Sequence, residues 1–291
     1  MELLRKLCGF NACSGNEETL AKFIKEEISV FSESVYTDAL GNLFAVKHGS
    51  GKKLMLVTHM DSYGFFTTVK DMVSTVGDID LTTVNNSIVQ YENGDLAVFS
   101  AEKTDKITDF TLKPIIGNDT DYTGKTSVFK PCFDTNGGFV ISPALSARIG
   151  CYVLIRLIKK IKSDCEITFV FTVKKNAGMK GARVAAYDIA PEKAIVVDCF
   201  DADCKPVVMV KDKSYIADVG LKDALANCGF TPIVSKDGRN EASAIQTTAG
   251  GVPCAAVGAG VKFIGKPNEI ASAASIDELF ENLKRYINEE L

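Results

Sequence analysis

Apolar positions recur along the chain in two periods, and the switches between them lay out its elements. Leu20, Phe23, Ile24 and Ile28 fall on one face of a helix over 16–30, entered through Ser14-Gly15-Asn16-Glu17-Glu18. A hairpin follows over 35–49, turning near Gly41-Asn42, and then a buried strand over 52–61. Ile149, Val153, Leu154, Leu157, Ile158 and Ile161 mark a long amphipathic helix over 147–162. A strand over 165–173, a helix over 178–190 and a strand over 193–200 come next, an alternation that predicts parallel strands covered by helices. A weaker helix over 220–230 precedes strands at 231–235 and 252–260. The last helix, from Ser275, carries a capping-box pattern with Glu278 and an apolar stripe of Leu279, Phe280, Leu283, Tyr286 and Ile287.

Between 66 and 135 no helical period holds. Short β-prone pieces at 87–91, 96–100, 110–116 and 126–133 alternate with turn signals such as Asn93-Gly94 and Thr123-Gly124. The expectation is an α/β domain formed by 1–65 and 136–291, with a small β-barrel-like domain inserted at 66–135.

Size and charge narrow the classes. The 291 residues are 46% hydrophobic, enough for a sizeable core, and the net charge of −4 comes without a basic cluster, which excludes a nucleic-acid footprint. No stretch has the apolar length of a membrane span. Nine cysteines, mostly within apolar runs, read as reduced thiols of a cytoplasmic protein.

Candidate chemistry sits at strand ends. The apolar run Leu54–Val57 ends in His59 and Asp61, and Ile195–Val197 ends in Asp198, at the edge where open α/β sheets bind ligands. With only two histidines in the chain, any metal needs carboxylate or thiolate ligands. One such set is Cys199, Asp201, Asp203 and Cys204, although Cys199 and Asp198 point to opposite faces of their strand. A cysteine nucleophile would need His59 as its base, and no thiol is tied to that residue by sequence.

The segments SGNE, DALGNL, HMDSYGF, ALSARIGC, VFTVKKNAGMKGA, AIVVDCF and GGVPCAAVGAGVKFIGKPNE, in this order, resemble over essentially the whole chain the tetrahedral and glutamyl aminopeptidases. That resemblance implies a phosphorylase/hydrolase-like zinc-peptidase domain with a mixed central sheet flanked by helices. It also implies two co-catalytic metal ions, and a β domain serving in assembly into dimers or larger homo-oligomers. Carried over residue by residue, His59 and Asp198 match metal ligands and Asp61 matches the aspartate that supports the histidine. The bridging aspartate falls on Ser146, its acidic neighbour on Ala147, the general base on Lys175, the next ligand on Asn176 and the last histidine on Gly265. A Gly-Thr-Asp element becomes Arg239-Asn240-Glu241.

Asp to Ser, Glu to Asn and Glu to Lys change the side-chain charge by +1, +1 and +2, matching the four charges of two divalent ions. Without such ions, carboxylates ~4 Å apart repel by roughly 4 kcal/mol at an effective dielectric near 20. Lys175 is therefore expected to enter the emptied position and pair with Asp198 or Asp61. The implied protein is a non-catalytic aminopeptidase homologue with no resident cofactor. Lys175, Arg148, Lys262 and Lys266 would offer a cleft to a peptide or small anion. The competing reading is an active aminopeptidase with a rebuilt or single-metal site holding zinc or another divalent ion.

Overall fold

A computed structural model describes residues 1–69, 72–103, 110–116, 121–203 and 205–290. Helices are α1 (Glu2–Cys8), α2 (Glu18–Ile28), α3 (Leu145–Lys160), α4 (Lys180–Ile189), α5 (Val219–Asn227), α6 (Ala242–Ile245) and α7 (Ala273–Glu290). The first strands are β1 (Ser34–Thr37), β2 (Leu43–Lys47) and β3 (Lys53–His59). They lead into β4 (Gly64–Val69), β5 (Met72–Val76), β6 (Ser87–Tyr91), β7 (Leu96–Lys103), β8 (Phe110–Ile116) and β9 (Thr126–Phe129). The chain then forms β10 (Asp134–Asn136), β11 (Phe139–Ser142), β12 (Glu166–Thr172), β13 (Lys193–Phe200), β14 (Pro206–Lys211), β15 (Thr231–Val234), β16 (Cys254–Lys262) and β17 (Glu269–Ser272).

One mixed sheet runs β1-β2-β12-β3-β13-β16-β17-β11-β10, with β14 against β16 and β15 against β14. Its centre, β12-β3-β13-β16, is parallel, as the strand-helix alternation predicts. These strands are covered on both faces, so their side chains divide between two cores. Leu54 and Leu56 pack with α3 and α7, and Met55 and Val57 with α4 and α6. The backbone of α3 lies close against the sheet at Gly150, where a Cβ would sit 2.0 Å from Thr58 Oγ1. Only glycine fits there, and this seating brings the first turn of α3 to the strand ends.

The inserted segment forms a closed barrel, β4-β5-β8-β7-β6-β9, around Phe65, Phe99 and Phe129. Its strands span Gly64–Phe129, whereas Asp134 and Thr135, expected inside the insert, belong to β10 and pair with β11 in the large sheet. At the C-terminus the expected capping box is displaced. The helix begins at Ala273, Ser272 Oγ accepts from the Ser275 amide at 3.4 Å, and the Ser275 hydroxyl is buried without a partner. Strand β17 runs straight into α7, so the cap falls on its last residue. No described helix is long and apolar enough to cross a membrane.

Candidate functional site

Parallel pairing brings the carboxyl ends of β12, β3 and β13 to one edge, and strand alternation decides which side chains meet there. His59 lies two residues beyond Val57 and faces the α4 side. On β13, Ile195 and Val197 join the α3 core and Ala194 and Val196 the α4 core. Asp198 therefore shares the face of His59, while Cys199 turns into the α3 core. Because Val57 is in register with Val196, the two side chains arrive together, 3.4 Å from His59 Nε2 to Asp198 Oδ1.

Beyond β12, the chain turns through Lys174, whose φ of 59° lies in the left-handed region, and returns Lys175 over the strand ends. The Lys175 ammonium donates to Asp198 Oδ2 at 2.7 Å and Oδ1 at 2.9 Å and lies 3.1 Å from His59 Nε2. Both partners are nearly enclosed, with side chains 12% and 4% exposed. Burial raises the Asp198 pKa, yet the Lys175 ammonium prevails and holds it well below the usual carboxylate range. Burial likewise disfavours the charged Lys175, and the Asp198 carboxylate prevails, pushing its pKa up.

Asp61 takes the other half of the expectation. It accepts from the backbone amides of Lys175 at 3.0 Å and Asn176 at 2.8 Å and from Ser14 Oγ, so it anchors the turn and leaves the ammonium to Asp198. The Asn176 amide group donates to the Asp61 carbonyl at 3.2 Å.

His59 is pulled in two directions. Burial and the Lys175 ammonium disfavour a charge on the ring, while the Asp198 and Asp61 carboxylates favour one. A proton on Nε2 would face the Lys175 ammonium, whereas the 3.1 Å contact requires a lone pair there. We therefore assign the neutral ring, with Nδ1–H donated to the Asp61 carbonyl at 2.8 Å. Both ring nitrogens are thus engaged and neither serves a thiol. Cys151 donates to the backbone carbonyls of His59 at 3.4 Å and Ala147 at 3.6 Å, and burial pushes its thiol up to about 12.

Ser146 and Gly265 converge on a carboxylate that sequence reasoning missed. Glu269, fully buried, accepts from Ser146 N at 2.7 Å, Ser146 Oγ at 2.9 Å and Gly265 N at 2.8 Å. Gly265 has φ 76°, and a Cβ there would lie 3.1 Å from the Asp78 carbonyl, so a histidine would meet both strain and crowding. Glu241 is also fully buried. It accepts from Thr172 Oγ1 at 2.6 Å and leaves Oε2 without a partner.

The expected cationic cleft does not form from the residues assigned to it. Arg148 is fully buried and donates to the carbonyls of Met60 (2.6 Å), Leu7 (3.0 Å) and Phe10 (3.2 Å), because the dense packing of α3 leaves its guanidinium only backbone acceptors. Lys262 pairs with Asp201 at 3.3 Å and Asp203 at 3.7 Å, and Lys266 with Asp80 at 3.4 Å. Those pairs also turn Asp201 and Asp203 out to solvent, away from Asp198. Cys204 lies outside the described residues.

The family resemblance implies two metal ions, and the donors present do not fit them. His59 and Asp198 share their space with an ammonium that occupies both carboxylate oxygens, and serine, asparagine and glycine stand where further ligands would be needed. Among the described residues no group of three His, Cys, Asp or Glu side chains could hold a metal ion.

The buried acids predict a pH dependence. Burial, against their hydrogen bonds, raises the pKa values of Glu241 and Glu269 to about 7. A carboxyl whose folded pKa exceeds its unfolded value keeps its proton longer in the native state. Its contribution is full below the ordinary pKa near 4.5 and is lost as pH rises through about 7. Melting temperature should therefore fall between about pH 5 and about pH 8.5, as differential scanning fluorimetry would show. Glu241→Gln should gain about 1–2 kcal/mol at the upper pH and nothing at the lower, the gain being limited by an amide left partly unpaired. A flat profile would remove the assignment.

The M42 glutamyl aminopeptidase family model matches residues 122–281. The "Putative aminopeptidase" of Acetivibrio thermocellus is 33% identical, over 95% of this chain and 94% of that protein. Lysyl aminopeptidase of Pyrococcus furiosus is 23% identical over 99% and 96%. Among solved structures, aminopeptidase APDkam598 from the archaeon Desulfurococcus kamchatkensis matches with a TM-score of 0.91 at 22% identity, over 99% of this chain and 94% of that one. The Pyrococcus horikoshii TET1 peptidase, described as able to assemble into a tetrahedron or a large octahedral shell, matches with a TM-score of 0.84 at 22% identity, over 98% of each chain.

Proposed function

The chain belongs to the M42 glutamyl aminopeptidase family, and from that membership we propose that it is a non-catalytic homologue in which a protein-borne cation has replaced the metal centre. The observation that carries this reading is the Lys175 ammonium on both oxygens of Asp198 and 3.1 Å from His59 Nε2. Metal-assisted hydrolysis needs an acidified water and a base to take its proton. Here the base position holds an ammonium whose proton is retained, and Asp198 is spent on that ammonium. The two acids poised near neutrality, Glu241 and Glu269, are fully buried and reach no solvent.

The test is elemental analysis of the purified protein, paired with turnover of aminoacyl chromogenic substrates in the presence of zinc, cobalt or manganese. Substoichiometric metal and no turnover above the blank are expected. Stoichiometric metal with turnover would establish the alternative, an active enzyme with a rebuilt or single-metal site. By the same reading the chain works in the cytoplasm and self-associates through its barrel. Light scattering should then give a mass at least twice the 31.4 kDa of one chain.

A further inference from the structure

The lysine that fills the emptied position is itself covered, and the cover is Tyr63 of the HMDSYGF segment. Its neighbours are pinned: Ser62 donates to the Ala12 carbonyl through its amide at 2.8 Å and its hydroxyl at 3.1 Å, and Gly64 opens β4. Gly64 is in register with Val76, so antiparallel pairing sets Tyr63 opposite Gly77. The ring lies against that glycine, where a Cβ would sit 2.4 Å from Tyr63 Cδ1 and 2.7 Å from Cε1. Its other edge faces Gly265, where a Cβ would be 3.8 Å from Cδ2 and Cε2. Both glycines are left-handed, with φ of 84° and 76°, so backbone alone forms the two walls of a slot for the ring.

The slot adjoins the buried ion pair. Asn176, the residue after Lys175, brings its Oδ1 to 3.2 Å from the same Gly77 position and donates through Nδ2 to the Asp61 carbonyl. The Lys266–Asp80 pair, at 3.4 Å, ties the Gly265 loop to the chain just beyond Gly77. Burial pushes the Tyr63 phenol up to about 12 against the pull of the Lys175 ammonium. With side chains 12%, 4% and 3% exposed, Lys175, Asp198 and His59 attract one another in a medium that water scarcely screens.

We propose that Tyr63 is a stopper whose ring closes the approach to Lys175, Asp198 and His59, so that small solutes reach them only when the ring leaves its slot. The inference rests on the reading of the metal site given above and adds what keeps that site shut.

The experiment is modification of the full chain by diethyl pyrocarbonate, which acylates unprotonated imidazole, followed at each histidine by peptide mass spectrometry. The chain supplies its own control, because it has two histidines and the His48 side chain is 63% exposed. In the parent His48 should react promptly and His59 slowly. Tyr63→Ala should accelerate His59 by about tenfold or more and leave His48 unchanged, because access to a buried group follows the opening that exposes it. Tyr63→Phe keeps the ring and should keep His59 slow. Leu283→Ala, in the core beneath α7, loosens the fold away from the slot and should also keep His59 slow. Prompt modification of His59 in the parent, no acceleration in Tyr63→Ala, or equal acceleration in Tyr63→Phe or Leu283→Ala would each overturn the proposal. Stoichiometric zinc in the parent would defeat the non-catalytic reading, while the order of the His59 rates would still decide whether Tyr63 closes the site.

Discussion

Lys175→Met should lower stability by about 3 kcal/mol, because it removes one member of a buried ion pair and strands the other. Asp198 would remain 3% exposed with the Cys199 amide at 2.8 Å and His59 Nε2 at 3.4 Å. Losses for such broken pairs run to about 5 kcal/mol, and His59 moderates this one because it can take a proton once the ammonium has gone. For a chain of this size the effect corresponds to a fall in melting temperature of roughly 5 °C. The paired variant Lys175→Met with Asp198→Asn should recover much of it, since exchanging both charges leaves none unpaired. A single variant within about 0.5 kcal/mol of the parent in urea unfolding would mean that the ammonium is not the partner of Asp198.

Arg148→Met should cost at least as much, about 3–5 kcal/mol. The guanidinium gathers carbonyls from three separate places: Leu7 at the end of α1, Phe10 beyond it, and Met60 just past β3. Methionine fills most of the volume and satisfies none of them. Arg148→Lys should also fail in large part, because a single ammonium cannot span acceptors arranged around a planar fork. Urea midpoints should drop for both variants with the slope unchanged, and the lysine variant should lie between methionine and the parent. Tolerance of methionine at this position would show that the three carbonyls find other donors.

Much of this arrangement was legible from residue order. The two-residue alternation of Leu54–Val57 and Ile195–Val197, followed by His59 and Asp198, sufficed to place both on one strand-end edge. Charge balance sufficed to send Lys175 toward an acid. Sequence left two candidate acids, and the choice fell to the turn, whose amides consume Asp61. Glu269 was invisible because its partners, Ser146 and Gly265, are joined to it by tertiary packing and by no repeat or spacing. Glu241 was visible only as a departure from a family element. Arg148 was misplaced for a related reason. A charged residue in a helix packed on nearly all sides signals burial, but its acceptors are backbone carbonyls, which leave no mark in composition. The displaced cap of α7 follows the same rule, since Ser272 belongs to a strand whose direct run into the helix no local pattern announces.

The glycine at 265 constrains what its loop can carry. Its left-handed backbone and the Asp78 carbonyl 3.1 Å from where a side chain would begin mean that a histidine placed there meets strain and crowding before it could hold any ion. Glu269 also grips that amide, which holds the loop in a shape suited to glycine. Under the non-catalytic reading proposed above, rebuilding a metal ligand at this position would therefore demand a change in the loop as well as in the side chain.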